Sequence, residues 1–209
     1  MAELKIGKIM MGMCQTNCYF VYEEGKKDVL LFDPADRGDY LYEALKDKGF
    51  LVKAILLTHG HFDHIWGAEK LRELSGAKLY AFEAERELCA DPGMNISASA
   101  GRAVSIVPEE WFVDGQEVTL NDITFRAILT PGHTAGSGCF YFEKDKILVS
   151  GDTLFEGSVG RTDFPTGSMS TLVRSIREKL MILPEDVKVY PGHGDMTTIG
   201  YEKDNNPFL

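Results

Sequence analysis

The sequence predicts a layered fold, α/β or α+β in class, with strands at the centre and helices on their outer sides. Three observations carry this. Apolar runs of strand length recur along the chain, at 28–32, 53–57, 123–129 and 187–190. Amphipathic segments stand among them, and in one of these Leu172, Ile176 and Leu180 repeat at about one helical turn. Four of the strands also end alike, at a Gly-containing turn that presents His or Asp. Stacked layers let such elements bury their apolar faces together.

Size and composition agree with one globular domain spanning 1–209. Hydrophobic residues make up 44% and charged residues 26% of the chain, values of a folded domain with a sizeable core. Twenty-two basic against 32 acidic residues leave a net charge of -10, which argues against binding nucleic-acid phosphates. No apolar run approaches the ~20 residues of a membrane helix, so no membrane association is expected. The start, Met1-Ala2-Glu3-Leu4-Lys5-Ile6-Gly7-Lys8, does not read as a signal peptide, so a cytoplasmic protein is expected. Cys14, Cys18, Cys89 and Cys139 form no Cys-x-x-Cys pair and are read as thiols rather than disulfides, with Cys139 an inert packed thiol.

In order, 5–10 and 17–22 read as short strands, and 28–32 as another that ends in Asp33-Pro34-Ala35, a turn signal. Leu41, Leu45 and Phe50 mark a helix stopped by Gly49. Strand 53–57 precedes a helix at 66–74 that ends before Gly76. Residues 78–82 form a strand, 83–89 an acidic helix, and 91–101 a small, polar loop beside or over the site, with a featureless surface loop as the alternative. Strands then follow at 111–115, 117–120 and 123–129, with Asn121-Asp122 as a hairpin turn. A second hairpin joins 139–142 to 146–149, a helix covers 168–180, and 187–190 is the last strand.

Thr58-His59-Gly60-His61-Phe62-Asp63-His64 is the densest chemical signal. One histidine after a strand is ordinarily a solvated loop residue. Three histidines and an aspartate within six residues are instead what borderline divalent metals bind. The same grammar recurs at Thr130-Pro131-Gly132-His133, Ser150-Gly151-Asp152 and Pro191-Gly192-His193. All five histidines of the chain sit at such strand ends. Five imidazoles and two carboxylates exceed the three or four protein groups that one tetrahedral ion takes, and fit two ions.

His59-x-His61-x-Asp63-His64, followed by His133, Asp152 and His193, resembles the metallo-β-lactamase superfamily. More narrowly, Gln15-Thr16-Asn17-Cys18-Tyr19, Gly151-Asp152-Thr153-Leu154-Phe155, Gly160-Arg161-Thr162-Asp163 and Tyr190-Pro191-Gly192-His193-Gly194 resemble the glyoxalase II-like hydrolases. The resemblance covers nearly the whole chain and is more specific for superfamily than for substrate. It implies an α+β fold, a four-layer αββα sandwich with its site along one edge of two sheets. It implies that His59, His61 and His133 bind one metal, that Asp63, His64 and His193 bind a second, and that Asp152 bridges them. The implied cofactors are two divalent ions, zinc first, with iron or manganese as alternatives. Arg161, in the loop after Asp152, is a candidate contact to a substrate carboxylate, with an ordinary salt bridge as the competing role.

Such ions lower the pKa of bound water from ~15.7 towards ~7 and polarise a carbonyl, so a bridging hydroxide is the expected nucleophile. Two dications against two carboxylates and one hydroxide leave about one positive charge for an anionic transition state. A thiol leaving group, with a pKa near ~8.5, departs without a general acid. Hydrolysis of a small-molecule thioester, such as an S-acylglutathione, is therefore expected, with no assignment of oligomeric state. Full-length glyoxalase II carries a further C-terminal helical region that contacts glutathione, whereas only 16 residues follow His193 here. A short form is expected, with another thioester or an ester open as substrate. Gly160-Arg161-Thr162-Asp163-Phe164 is also similar to persulfide dioxygenases of the same superfamily, which use one iron, and this is the alternative. β-Lactam hydrolysis is disfavoured by the lack of a secretory signal and by Gly151-Asp152-Thr153 where a cysteine ligand would be expected.

Overall fold

Two six-stranded sheets lie face to face, and helices cover their outer faces, in the computed structural model, which describes residues 3–209. The first half of the chain supplies β1 (Leu4–Met11), β2 (Thr16–Glu23), β3 (Asp28–Phe32), α1 (Gly38–Asp47), β4 (Leu51–Leu56), α2 (Phe62–Ile65), α3 (Ala68–Ser75), β5 (Lys78–Phe82), α4 (Arg86–Ala90) and β6 (Glu110–Phe112). These strands pair in the order β1-β2-β3-β4-β5-β6. The second half supplies β7 (Glu117–Leu120), β8 (Ile123–Leu129), β9 (Gly138–Phe142), β10 (Ile147–Gly151), β11 (Leu154–Phe155), β12 (Ser158–Val159), α5 (Met169–Ser175), β13 (Lys188–Pro191), β14 (Thr197–Thr198) and α6 (Ile199–Asn205). Its sheet runs β14-β13-β10-β9-β8-β7, while β11 and β12 form a separate small hairpin.

The layers follow from the alternation of side chains along each strand. On β3, Val29 and Leu31 face α1 and α3, joining Leu41, Leu45 and Leu71. Leu30 and Phe32 face the other way, into the space between the sheets, where they meet Phe125, Phe140 and Phe142. On β9, Cys139 and Tyr141 face α5 with Leu172, Ile176 and Leu180. Three apolar clusters therefore fill three gaps between four layers. Strands buried on both faces need near-continuous apolar sequence, which is why they read so clearly. Each fully buried Leu or Phe contributes about 1.5–3 kcal/mol over its exposed state.

Several elements differ from the sequence expectation. The helix expected at 66–74 begins only at Ala68. A separate turn, α2, precedes it and carries Asp63 and His64. The break falls at Gly67, whose N–H donates to Pro34 O at 2.8 Å and where a Cβ would lie 2.8 Å from that oxygen. The segment 168–180 is α5 capped by the Ser168 hydroxyl, followed by a wider turn over Ile176–Leu180 in which Met181 N–H reaches Ile176 O. The strand at 187–190 is not the last: the tail adds β14 and α6, because Glu202 is buried against Thr197 and Gly157. Asn121 and Asp122 do turn the β7–β8 hairpin, both at positive φ, with Leu120 opposite Ile123. Among the described residues, no helix is long and apolar enough to cross a membrane.

Strand polarity places the site. β3 and β4 are parallel neighbours in one sheet, and β10 and β13 are parallel neighbours in the other. Their C-terminal ends meet along one edge, where the Gly138 N–H donates to Thr58 O at 2.8 Å and ties the sheets together.

Candidate metal centre

The turn after β4 begins the site. Gly60 lies so close to α4 that a Cβ there would stand 2.8 Å from both Cys89 Sγ and Leu88 Cδ2, so only glycine fits between His59 and His61. His61 is extended at the start of α2, and the following helical turn carries Asp63 and His64 towards the same point. The other three donors arrive from the second sheet. His133 follows β8 through Gly132, Asp152 follows β10 through Gly151, and His193 follows β13 through Gly192. His59, His61, His64 and His133 are buried, and Asp152 and His193 are partly exposed.

The seven expected donors are brought together, as two triads with Asp152 between them. In the first, His133 Nε2 lies 3.1 Å from His59 Nε2 and 2.9 Å from His61 Nδ1. Three nitrogens held on one tetrahedral ion at 2.0–2.1 Å would stand roughly 3.3 Å apart. In the second, His193 Nε2 lies 3.3 Å from Asp63 Oδ2, and His64 Nε2 lies 3.7 Å from the same oxygen. Asp152 Oδ1 is 3.4 Å from His64 Nε2, and its Oδ2 is 3.6 Å from His133 Nε2 and 3.5 Å from His193 Nε2. The ligand atoms of His59, His61 and His133, and those of Asp63, His64 and His193, each lie within 4.8 Å of one another.

The backs of the rings are anchored. His59 Nδ1 meets Thr58 Oγ1 at 3.2 Å and His64 Nδ1 meets Asp33 Oδ2 at 3.0 Å. His133 Nδ1 meets Arg161 O at 2.7 Å and His193 Nδ1 meets Cys14 O at 3.1 Å. Four Nε2 atoms are thereby aimed at the centre, the orientation that outer hydrogen bonds give to metal-bound histidine. His61 is turned the other way, with Nδ1 inward. His64 Nε2 and Asp152 Oδ1 are buried and face each other without a hydrogen-bond partner. Buried polar atoms are ordinarily paired, and a cation accepting both lone pairs accounts for these two. The donor set of imidazole and carboxylate fits divalent zinc or iron.

Electrostatics divide the triads. Burial, with the neighbouring imidazoles, pushes His59 well below its ordinary pKa and His61 down to about 3; burial lowers His133 too. These rings are neutral, the state in which they donate to a metal. Burial also opposes charge on His64 and His193. Asp152, Asp63 and Asp33 outweigh it at His64, raising that ring well above its usual value. Asp152 and Asp63 likewise raise His193 to about 9. Burial would raise both aspartates, yet His64 and His193 hold Asp63 below, and Asp152 well below, the usual carboxylate range.

Arg161 makes the ordinary salt bridge that was its competing role. Its backbone carbonyl reaches His133, while the guanidinium makes two 2.7 Å contacts with Asp163 and stacks 3.8 Å over Phe164. Phe164 in turn stands edge-on to His61, 5.6 Å between ring centres. Residues 91–101 are held to α2, through the Phe62 N–H donated to Asn95 O at 3.0 Å. Cys139 is buried, its thiol raised to about 11 by burial, as an inert packed thiol should be.

Four residues that support the site were assigned no role from the sequence. Asp33 ends β3 just as the donors end their strands, and that shared grammar was the available signal. Thr16 donates to Asp63 Oδ2 at 3.2 Å. Asn17 clamps the His193 turn by donating to Pro191 O at 2.9 Å and Gly194 O at 3.0 Å. Glu85 gave no signal, because an acid in an acidic helix reads as surface.

The chain is also similar to known proteins. The family model described as the metallo-beta-lactamase superfamily matches residues 11–193. The chain is 37% identical over 208 residues to "Probable metallo-hydrolase YqgX" of Bacillus subtilis, covering 99% of this chain and 98% of that one. It is 36% identical over 205 residues to "Hydroxyacylglutathione hydrolase GloC" of Haemophilus influenzae, covering 93% of each. Among solved structures, the BLEG-1 B3 metallo-beta-lactamase superposes with a TM-score of 0.93 at 38% identity, covering 98% of this chain and 99% of that one. TTHA1623, solved in a di-iron-bound form, gives 0.87 at 32% identity, with 97% and 100% covered. ETHE1 from Myxococcus xanthus gives 0.78 at 26%, with 97% and 83% covered.

Proposed function

The chain belongs to the metallo-beta-lactamase superfamily, and on that premise we propose that it is a binuclear metal-dependent hydrolase that cleaves a small-molecule thioester such as an S-acylglutathione. The observation that carries this reading is Asp152, whose carboxylate stands 3.4 Å from His64 and 3.6 Å from His133, between two complete triads. His59, His61 and His133 would hold one ion; Asp63, His64 and His193 would hold the other; Asp152 would be shared. Zinc is the proposed metal, with iron supported by the di-iron form of TTHA1623. When bound, the ions supply a nucleophilic water at neutral pH and a Lewis acid for the carbonyl.

The chain's own residues do the rest. Thr58, Asp33 and the Arg161 and Cys14 carbonyls fix the rings in rotation, so no reorganisation is needed as charge develops. Asp63 and Asp152 would offset half of the charge of two divalent ions. A thiolate leaves without a proton, so the scarcity of general acids around the centre is no obstacle. Arg161 is proposed to meet a substrate carboxylate by exchanging it for that of Asp163.

The test is a substrate panel on the metal-loaded protein: S-lactoylglutathione, acyl thioesters of other thiols, an oxygen ester, a β-lactam, and oxygen uptake with glutathione persulfide. Thioester turnover without oxygen uptake is expected. Oxygen uptake would favour the mononuclear iron dioxygenase reading. Turnover of the β-lactam alone would move the assignment towards the activity named for BLEG-1.

A further inference from the structure

Glu85 is fully buried, and its carboxylate accepts three hydrogen bonds from uncharged donors. Oε2 accepts the Gly60 N–H at 2.8 Å. Oε1 accepts the Thr134 hydroxyl at 2.6 Å and the Gly136 N–H at 2.7 Å. Gly60 lies between His59 and His61, and Thr134 follows His133. One side chain therefore ties together the two turns that supply the first triad, across the two halves of the chain. The close approach is built in at both ends: a Cβ on Gly136 would stand 2.7 Å from Glu85 Cγ, and one on Gly60 would stand 3.3 Å from Glu85 Oε2. None of its three bonds goes to the turns bearing Asp152 or His193.

We propose that Glu85 is a positioning residue of the metal centre, holding the His59-Gly60-His61 turn and the His133-Thr134 turn at the separation the first triad needs. This rests on the reading of that triad as a metal site. The residue type follows from the donors. A carboxylate offers only acceptors, and all three partners donate. Glutamine has the same shape but one NH2 group, which must face either the Gly60 N–H or the Thr134 and Gly136 donors. The mismatch opens one turn against the other, and His61 moves relative to His133.

The test isolates each triad. In H193A the first triad is the intact one, and in H61A the second is. Zinc affinity is measured by chelator competition, with and without E85Q, in both backgrounds. E85Q should weaken zinc binding by about tenfold or more in H193A, the scale of outer hydrogen bonds to metal ligands. In H61A it should change binding by less than about twofold on the same scale. Equal losses in both backgrounds, or no loss in H193A, would overturn the inference. If H193A itself binds no zinc, the metal reading fails and the inference with it. Should E85Q not fold, T134V removes one of the three donors while keeping the carboxylate, and the same selectivity for the first triad is required of it.

Discussion

Asp33 holds His64 from behind, its Oδ2 3.0 Å from the ring Nδ1, while the same carboxylate accepts the N–H and hydroxyl of Thr58 at 2.8 and 2.7 Å. Asp33 also links the His59 turn to His64, the ring that faces both Asp63 and Asp152. Its backbone is held at φ +49, a left-handed conformation that aspartate tolerates better than most residues.

Asp33→Ala should therefore weaken the second metal by about 10–100-fold and leave the first bound. Metal content after dialysis, with zinc titrated back against a chelator, reads this directly. Two tightly held ions in the variant would show that Asp33 is dispensable to the centre.

Proton linkage should distinguish the two triads. His64 and His193 carry raised pKa values, about 9 for His193, so at neutral pH a metal entering the second triad must displace protons. Rings of the first triad are depressed, His61 to about 3, and have no proton to lose. Second-site affinity should rise with pH up to about 9, whereas first-site affinity should stay flat from pH 6 to 9. Calorimetry in buffers of different ionisation heat counts the released protons. Equal release at both sites would contradict this division.

The same shifts set the stability of the metal-free chain. His64 and His193 bind protons more tightly folded than unfolded, so their contribution is full below the ordinary 6.5 and is lost at higher pH, as pH rises through about 9 for His193. His61 behaves oppositely: its contribution is full above 6.5 and is lost as pH falls towards 3. Melting temperature without metal should pass through a maximum near pH 6.5, and metal loading should flatten the alkaline side. A melting temperature that keeps rising from pH 6.5 to 9 in the metal-free protein would contradict the assignment.

Two glycines offer a matched pair. At Gly192 a Cβ would collide with Asp152 Oδ1 and lie 2.8 Å from His64 Cε1, whereas at Gly157 it would meet nothing within 4 Å. Gly192→Ala should lower metal content and turnover by about a hundredfold or more, since two donors must move together. Gly157→Ala, at φ +62, carries only the backbone penalty of about 1 kcal/mol and should keep both metals. Comparable activity in the two variants would argue against the tight packing of Asp152 beneath Gly192.

Arg161→Ala separates the residue's two groups. The variant keeps the carbonyl that holds His133, so metal content and kcat should not change. KM for a carboxylate-bearing thioester should rise by about fivefold at most, the scale of an exposed ion pair. A collapse in kcat would place the side chain in the machinery itself.

Most of the layered fold was legible because its strands are buried on both faces; Val29 to Phe32 and Gly138 to Phe142 are apolar at every position and cannot be mistaken for surface. The donors were legible for a similar reason, since a His or Asp beside a glycine at the end of such a strand has little other use. What the sequence hid was anything set by contacts across the chain. Asp63 and His64 lie on a helical turn because Phe62 and Gly67 are fixed by Asn95 and Pro34, neither of which is near in sequence. Glu85 becomes a buried clamp through partners 25, 49 and 51 residues away. The C-terminal helix docks through Glu202, whose partners Thr197 and Gly157 lie on either side of β13 in sequence.

The most direct measurement is the number of metal ions per chain in protein purified without added metal, compared between the wild type and Asp152→Ala. The binuclear account predicts two ions per chain in the wild type and fewer than two in the variant, with thioester turnover lost alongside. One ion per chain in fully active wild-type protein, or two in Asp152→Ala with turnover intact, would contradict it.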